Sequence, residues 1–281
     1  MNGLRRYSLN DLKQLMERLR DPQTGCPWDI EQTYRTIAPS TIEEAYEVVD
    51  AIERNNLNHL REELGDLLFQ VIFYSQIATE EKRFDVDDVI SDLVTKLIRR
   101  HPHVFPDNTL ESRADDSRTD DSRAEDQESV IKQRWEALKR EERQAKGQSG
   151  LLDDIPIALP SLTRAAKLQK RAASAGFDWP SIDGVIEKIE EELAEVKQAL
   201  AENDIAAIEE EFGDLLFAVV NGCRHRKVEP EGALRGTNQK FEQRFGYIEA
   251  ELSKRGIDVE DASLELMDAL WDEAKISLKA G

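Results

Sequence analysis

Carboxylates recur at a helical spacing in this chain, and they do so twice. Glu43, Glu44 and Glu47 spell EExxE and are followed by Glu63 and Asp66 as ExxD; Glu191, Glu192 and Glu195 are followed in the same way by Glu211 and Asp214. ELGDLLFQVI from Glu63 returns as EFGDLLFAVV from Glu211, 148 residues later, and the same step carries Glu44 onto Glu192 and Leu57, Leu60 and Leu64 onto Ile205, Ile208 and Phe212. Residues three apart share one face of a helix. Glu192 and Glu195 each stand just before an apolar stripe residue, Leu193 and Val196, as Glu211 and Asp214 stand before Phe212 and Leu215. An antiparallel hairpin centred on Asn203 therefore sets Glu195 opposite Glu211 and Glu192 opposite Asp214. Centred on Asn55, it pairs Glu47 with Glu63 and Glu44 with Asp66.

Four carboxylates so gathered repel unless they are protonated or bridged by a multivalent cation. The all-oxygen set, with no histidine at the ExxH spacing of di-iron bundles, suits Mg2+, or else Mn2+, better than iron or zinc. A solvated acidic face is the competing reading of any single EExxE in a chain with 58 acidic residues. Two copies with matching hairpin geometry favour the metal. Such a site suits a substrate whose phosphates meet the ion, and phosphates call for cations nearby. Lys240 and Arg244 in KFEQRF lie four apart, as do Lys96 and Arg100 in KLIRR. RWEALK, with Trp135 and Lys139, and LWDEAK, with Trp271 and Lys275, offer a ring for a base and an amine for phosphate. Trp271 equally suits an anchor for the last helix. Trp28 in GCPWD and Trp179 in GFDW precede the acidic helices as a wall of the site or as core. His101 and His103, around Pro102, read as structural or phosphate-contacting rather than metal-ligating.

Helical period governs the segments that must position these groups, so the fold class is all-α, a tandem duplication. Ser8 with Asp11 opens a helix that Asp21 and Pro22 stop, and further helices are expected at about 41–54, 57–81, 86–100, 128–146, 160–174, 184–202, 204–227, 231–255 and 262–279. Residues 107–128 hold nine acids, three arginines and a repeated DDSR, and read as a solvated, disordered insertion. KGQSG at 146–150 breaks the chain, giving domains at 1–146 and 151–281 joined by a linker at 147–150.

The formal net charge of -20 argues against a nucleic-acid polymer or an anionic membrane as partner. No apolar run approaches the roughly 20 residues of a membrane span. MNGLRRYSLNDLKQL has no signal-peptide core, and Cys26 and Cys223 have no metal or disulfide spacing, which together fit the cytoplasm.

Taken together, RDPQTGCPWDIEQT, both acidic motifs, RRHPHVF, GFDW, KFEQRF and the terminal tryptophan resemble the MazG family of nucleoside triphosphate pyrophosphohydrolases, in its long two-domain bacterial form. The resemblance covers essentially the whole chain. It implies helical-bundle domains that dimerise, Mg2+ dependence, and hydrolysis of several NTPs and dNTPs to monophosphate and pyrophosphate, in house-cleaning or regulation of nucleotide pools. It implies Glu192, Glu195, Glu211 and Asp214 as ligands, Lys240, Arg244 and Lys275 as phosphate contacts, and Trp271 on the base side. The C-terminal half is then the hydrolytic one, although Glu44, Glu47, Glu63, Asp66, Lys96, Arg100, Trp135 and Lys139 keep the motif in the first half. Glu191 or Glu192 is the candidate general base. The rival functions are a substrate-restricted all-α diphosphatase of the deoxyuridine triphosphate type and a non-catalytic nucleotide-sensing module.

Overall fold

The computed structural model describes residues 6–112 and 150–278. Trp135, Lys139, the helix expected at 128–146, the acidic insertion beyond Ser112 and the linker before Gly150 lie outside the described residues. The chain divides into two compact units, 1–135 and 136–281. Among the described residues every regular element is helical, and the all-α duplication expected from the repeat holds.

Unit 1 contains α1 (Leu9–Leu19), α2 (Pro27–Glu31), α3 (Tyr34–Glu53), α4 (Leu57–Glu80) and α5 (Val86–Arg100). Each start is chemically marked. Ser8 and Asp11 form a capping box on α1, Thr33 caps α3, Asn56 caps α4, and Asp85 with Asp88 closes α5. The sequence placed the start of α3 near residue 41, whereas the helix begins at Tyr34 and carries Pro39 inside it. Proline removes a single hydrogen bond near the helix start, and the Thr33 cap and the burial of Ile37 outweigh that loss. The core gathers Met16, Ile37, Ile72, Phe73, Ile77 and Val86. Buried Arg20 ties the segment after α1 to α4, its guanidinium donating to Glu80 and to the carbonyls of Asp29 and Gln32.

Unit 2 contains α6 (Ser161–Ala173), α7 (Ile182–Glu202), α8 (Ile205–His225), α9 (Pro230–Lys254), a 3-10 turn at Val259–Asp261 and α10 (Leu264–Ser277). Ser181, Asp204 and Ser263 cap α7, α8 and α10. Ile248, Leu252 and Leu270 form a core between α9 and α10.

The two hairpins, α3–α4 and α7–α8, end their first helices identically. Asn55 and Asn203 take the left-handed conformation at φ 52° and 55°. The amides of Asn55 and Asn56 bond the carbonyls of Ile52 and Ala51, and those of Asn203 and Asp204 bond Leu200 and Ala199. This is the Schellman closure, which satisfies the last carbonyls while reversing the chain. Asparagine tolerates left-handed backbone better than other non-glycine residues, so both hairpins turn on the residues at their arithmetic centres.

Candidate active site

In unit 2, α7 presents Glu192 and Glu195 and α8 presents Glu211, with one carboxylate oxygen of each lying within 4.8 Å of the others. Glu44, Glu47 and Glu63 form the same trio in unit 1. The fourth acids, Asp214 and Asp66, are exposed and fall outside these trios, but both act on them. Asp66 is the charge that most raises the Glu44 carboxyl after burial, and Asp214 contributes to the rise at Glu211. Glu63 is raised by burial and then by Glu47. Glu195 is raised by burial, then by a hydrogen bond from its side chain to Glu192 and by the charges of Glu192 and Glu211. Glu44, Glu63, Glu195 and Glu211, raised in part by the charges of neighbouring acids, belong to sets that a divalent cation would relieve.

Local cations differ between the copies. In unit 2, Lys188 Nζ lies 2.8 Å from Glu191 and 2.7 Å from Glu192, bonds that raise its own pKa. The step of 148 puts Ser40 at the matching place in unit 1, where His59 Nδ1 instead lies 2.7 Å from Glu63. The buried acid changes helix accordingly, being Glu192 on α7 in unit 2 and Glu63 on α4 in unit 1. The two candidate bases also separate: Glu192 is buried, whereas the Glu191 side chain is 58% exposed.

Beside the unit 2 acids lies a cavity of about 410 Å³. Glu192, Asp214 and Lys188 stand on its wall with Trp179, Phe217, Gln169 and Asn221, so the acids open onto a mostly apolar slot. Trp179 reaches this wall because Gly184, in the first turn of α7, leaves room: a Cβ there would meet the indole Cδ1 at 2.5 Å. Trp28, its counterpart ahead of the first hairpin, is exposed.

Lys240, Arg244, Trp271 and Lys275 are not among the residues lining that cavity. They stand on α9 and α10. The Arg244 guanidinium lies 5.2 Å from the Trp271 ring centroid, Phe241 packs on the same ring at 5.3 Å, and Trp271 rests on the Ile248–Leu252–Leu270 core. Lys275 pairs with Asp272 at 2.8 Å, and Lys240 is exposed. Lys96 is exposed and Arg100 half-buried on α5, while His101 Nδ1 meets the Leu97 carbonyl at 2.6 Å, a structural contact.

Sequence reasoning missed Lys188, Gln169 and Asn221. The first had a signal, a lysine four residues ahead of Glu192 on one helix face. The amides had none, because a tertiary slot brings them to the acids.

A further group missed is Asp178, at the cavity wall. Arg224 donates to it from Nη1 at 3.0 Å and again from Nη2, and His225 Nε2 lies 3.1 Å away. The Arg224 bond, followed by that of His225, holds the Asp178 carboxyl below its ordinary value of 3.8. A depressed folded-state pKa gives stability that is fully present above the unfolded value and is lost as pH falls through the folded one. Asp178→Asn is therefore expected to cost about 1 kcal/mol at neutral pH. The gap from the parent should persist down to pH 3.8 and close only below it, as read from urea midpoints across pH.

The MazG nucleotide pyrophosphohydrolase domain model matches residues 32–105 and again 181–247, one copy on each hairpin. The chain is 48% identical over 271 residues to a protein of Escherichia coli (strain K12) named nucleoside triphosphate pyrophosphohydrolase, covering 95% of this chain and 97% of that one. It is 42% identical over 265 residues to the Thermotoga maritima nucleoside triphosphate pyrophosphohydrolase/pyrophosphatase MazG, covering 94% of each. With two copies of the domain, and with relatives aligned nearly end to end, the chain belongs to the MazG family.

Proposed function

We propose that this chain hydrolyses nucleoside triphosphates to nucleoside monophosphate and pyrophosphate at the unit 2 site, with Mg2+ held by Glu192, Glu195, Glu211 and Asp214. The observation that carries this reading is a trio of carboxylates gathered within 4.8 Å, one of which, Glu192, lines a slot with aromatic walls. The names borne by the two relatives support it. Hard oxygen donors fit Mg2+, and Mn2+ by the same chemistry. When bound, the ion offsets phosphate charge and makes water more acidic.

The chain's own groups do the rest. Lys188 pairs with Glu191 and Glu192, and a carboxylate of this pair takes the proton as water oxygen adds to the α-phosphorus. The bond from that phosphorus to the bridging oxygen breaks, and pyrophosphate departs with the electron pair. Burial favours Glu192 as a metal ligand and leaves Glu191 as the more accessible base. Glu44, Glu47, Glu63 and Asp66 form the corresponding metal set in unit 1.

The decisive assay mixes the protein with each NTP and dNTP, with and without Mg2+, and follows both products. Orthophosphate release, or turnover indifferent to chelator, would sink the proposal. A nucleotide-sensing module would bind without turnover, and a deoxyuridine triphosphate diphosphatase would spare the other nucleotides.

The protein works as a homodimer through the outer faces of its hairpins. Ile186, Leu193 and Leu200 recur every seven residues along α7 and are exposed, as are Phe212, Leu216 and Val219 on α8. Exposed apolar surface of this extent marks an interface. Light scattering should give twice 32.1 kDa, and Leu193→Glu should shift the mass toward one chain. A monomeric parent would refute the dimer. Among the described residues no helix is long and apolar enough to cross a membrane, and both cysteines are free, which suits the cytoplasm.

A further inference from the structure

We propose that unit 2 reads the nucleobase of its substrate through two buried carboxamides, Gln169 and Asn221, which accept any standard base and turn away a triphosphate that has none. This rests on the preceding reading of the site as one that hydrolyses nucleotides. Gln169 on α6 is 8% exposed and Asn221 on α8 is 4% exposed, and both line the slot that Glu192 and Asp214 also line. Their orientations are fixed. Gln169 Nε2 donates to the Phe217 carbonyl at 2.7 Å, and its buried Oε1 meets no donor among the described residues. Arg224 reaches a single atom of Asn221 from Nε at 2.9 Å and from Nη2 at 2.7 Å. A guanidinium only donates, so that atom is the oxygen, and Asn221 is left with its amino group to offer. Asp178 anchors Arg224 in turn.

The slot therefore presents one acceptor and one donor. Every standard base carries a donor beside an acceptor on its pairing edge, so the two amides satisfy all of them without choosing among them.

The duplication supplies an internal comparison. Asn221 corresponds to Phe73, and Ala218 to the longer Gln70, at the common step. Gln169 is the buried residue of α6, as Met16 is of α1, the helix that packs on α4 as α6 packs on α8. Met16 and Phe73 lie together in the unit 1 core. The scaffold thus accepts apolar side chains at both places. Gln70 Oε1 in unit 1 is likewise buried without a donor, so an unsatisfied carbonyl does not by itself set unit 2 apart; Gln169 and Asn221 both line the slot that Glu192 lines, which points to a ligand as the reason unit 2 keeps its amides.

The test is the steady-state kinetics of Gln169→Met, with ATP, GTP, CTP and UTP against ribose 5-triphosphate as the baseless probe. KM should rise about tenfold for all four nucleotides, while KM for ribose 5-triphosphate should change by less than about twofold. Unchanged nucleotide KM values would overturn the inference, and so would an equal rise for the baseless probe, which would assign Gln169 a purely structural part. If thermal melting shows Gln169→Met to be unfolded, Asn221→Leu carries the same expectation and the same refutations. A parent enzyme that releases orthophosphate or ignores chelator defeats the functional reading. A parent that gives pyrophosphate, with variants that match it, defeats only the base-reading amides.

Discussion

Glu192→Gln should lower kcat/KM for ATP by about 10²- to 10⁴-fold, the range spanned by loss of a well-placed catalytic carboxylate. Glu192 is 5% exposed, shares a space of 4.8 Å with Glu195 and Glu211, and lies on the cavity wall. Its neutral amide keeps the shape and removes one anionic donor from the set proposed for Mg2+. The folded state should not suffer in step. Lys188 retains Glu191 at 2.8 Å, and Glu195 loses the neighbour whose hydrogen bond and charge raise its carboxyl. The melting temperature without Mg2+ should thus be unchanged or higher, while the rise that added Mg2+ gives the parent should shrink. Opposite signs for activity and stability separate a ligand from a scaffold residue. Activity within about threefold of the parent would remove Glu192 from the site. Glu191→Gln, at an exposed side chain, discriminates further: a comparable loss there makes it the base.

How much of this was legible in the residues depends on the range of the interaction that decides each feature. The hairpins were legible because their determinants are local. The acids are spaced along single helices, the stripes follow the helical period, and the asparagines at 55 and 203 lie midway between facing acids. That arithmetic sets four acids on each hairpin, of which three come together, while Asp66 and Asp214 stand outside the trios. What escaped was tertiary or locally ambiguous. The early start of α3 was hidden by Pro39, and the short α2 offers too few residues for a period to show. Arg244 and Trp271 meet between α9 and α10 rather than on the wall of the acid-lined slot, and Lys240 and Lys275 are exposed. Periodicity puts a residue on a face. It does not say which helix that face meets. The slot itself needs α6 and the Phe177–Trp179 segment to pack on the second hairpin, an encounter between segments far apart in sequence.

The duplication also predicts an asymmetry of stability, because Gln169 and Asn221 line a cavity in unit 2 whereas their counterparts Met16 and Phe73 are buried in the unit 1 core. Phe73→Ala should destabilise unit 1 by about 3–5 kcal/mol, the range for truncating a fully buried phenylalanine. Its ring is 1% exposed, packs edge-on against Phe69 at 5.7 Å, lies 5.3 Å from the Arg20 guanidinium and joins Met16, Ile37 and Ile72 in the core. All of those contacts end together, and Arg20, tied to Glu80 and to the carbonyls of Asp29 and Gln32, is poorly free to follow the ring into the void. Since a whole domain is stable by only about 5–15 kcal/mol, the loss is a large share of the total. Asn221→Ala at the corresponding place should cost less, about 1–3 kcal/mol, because its side chain borders open volume and the loss is chiefly of the two bonds from Arg224, which Asp178 still holds. Hydrogen exchange followed peptide by peptide reads the hairpins separately in the full chain. Protection in α4 should fall further for Phe73→Ala than that in α8 for Asn221→Ala. Equal losses would mean that the unit 2 slot is as tightly filled as the unit 1 core, leaving no room there for a base.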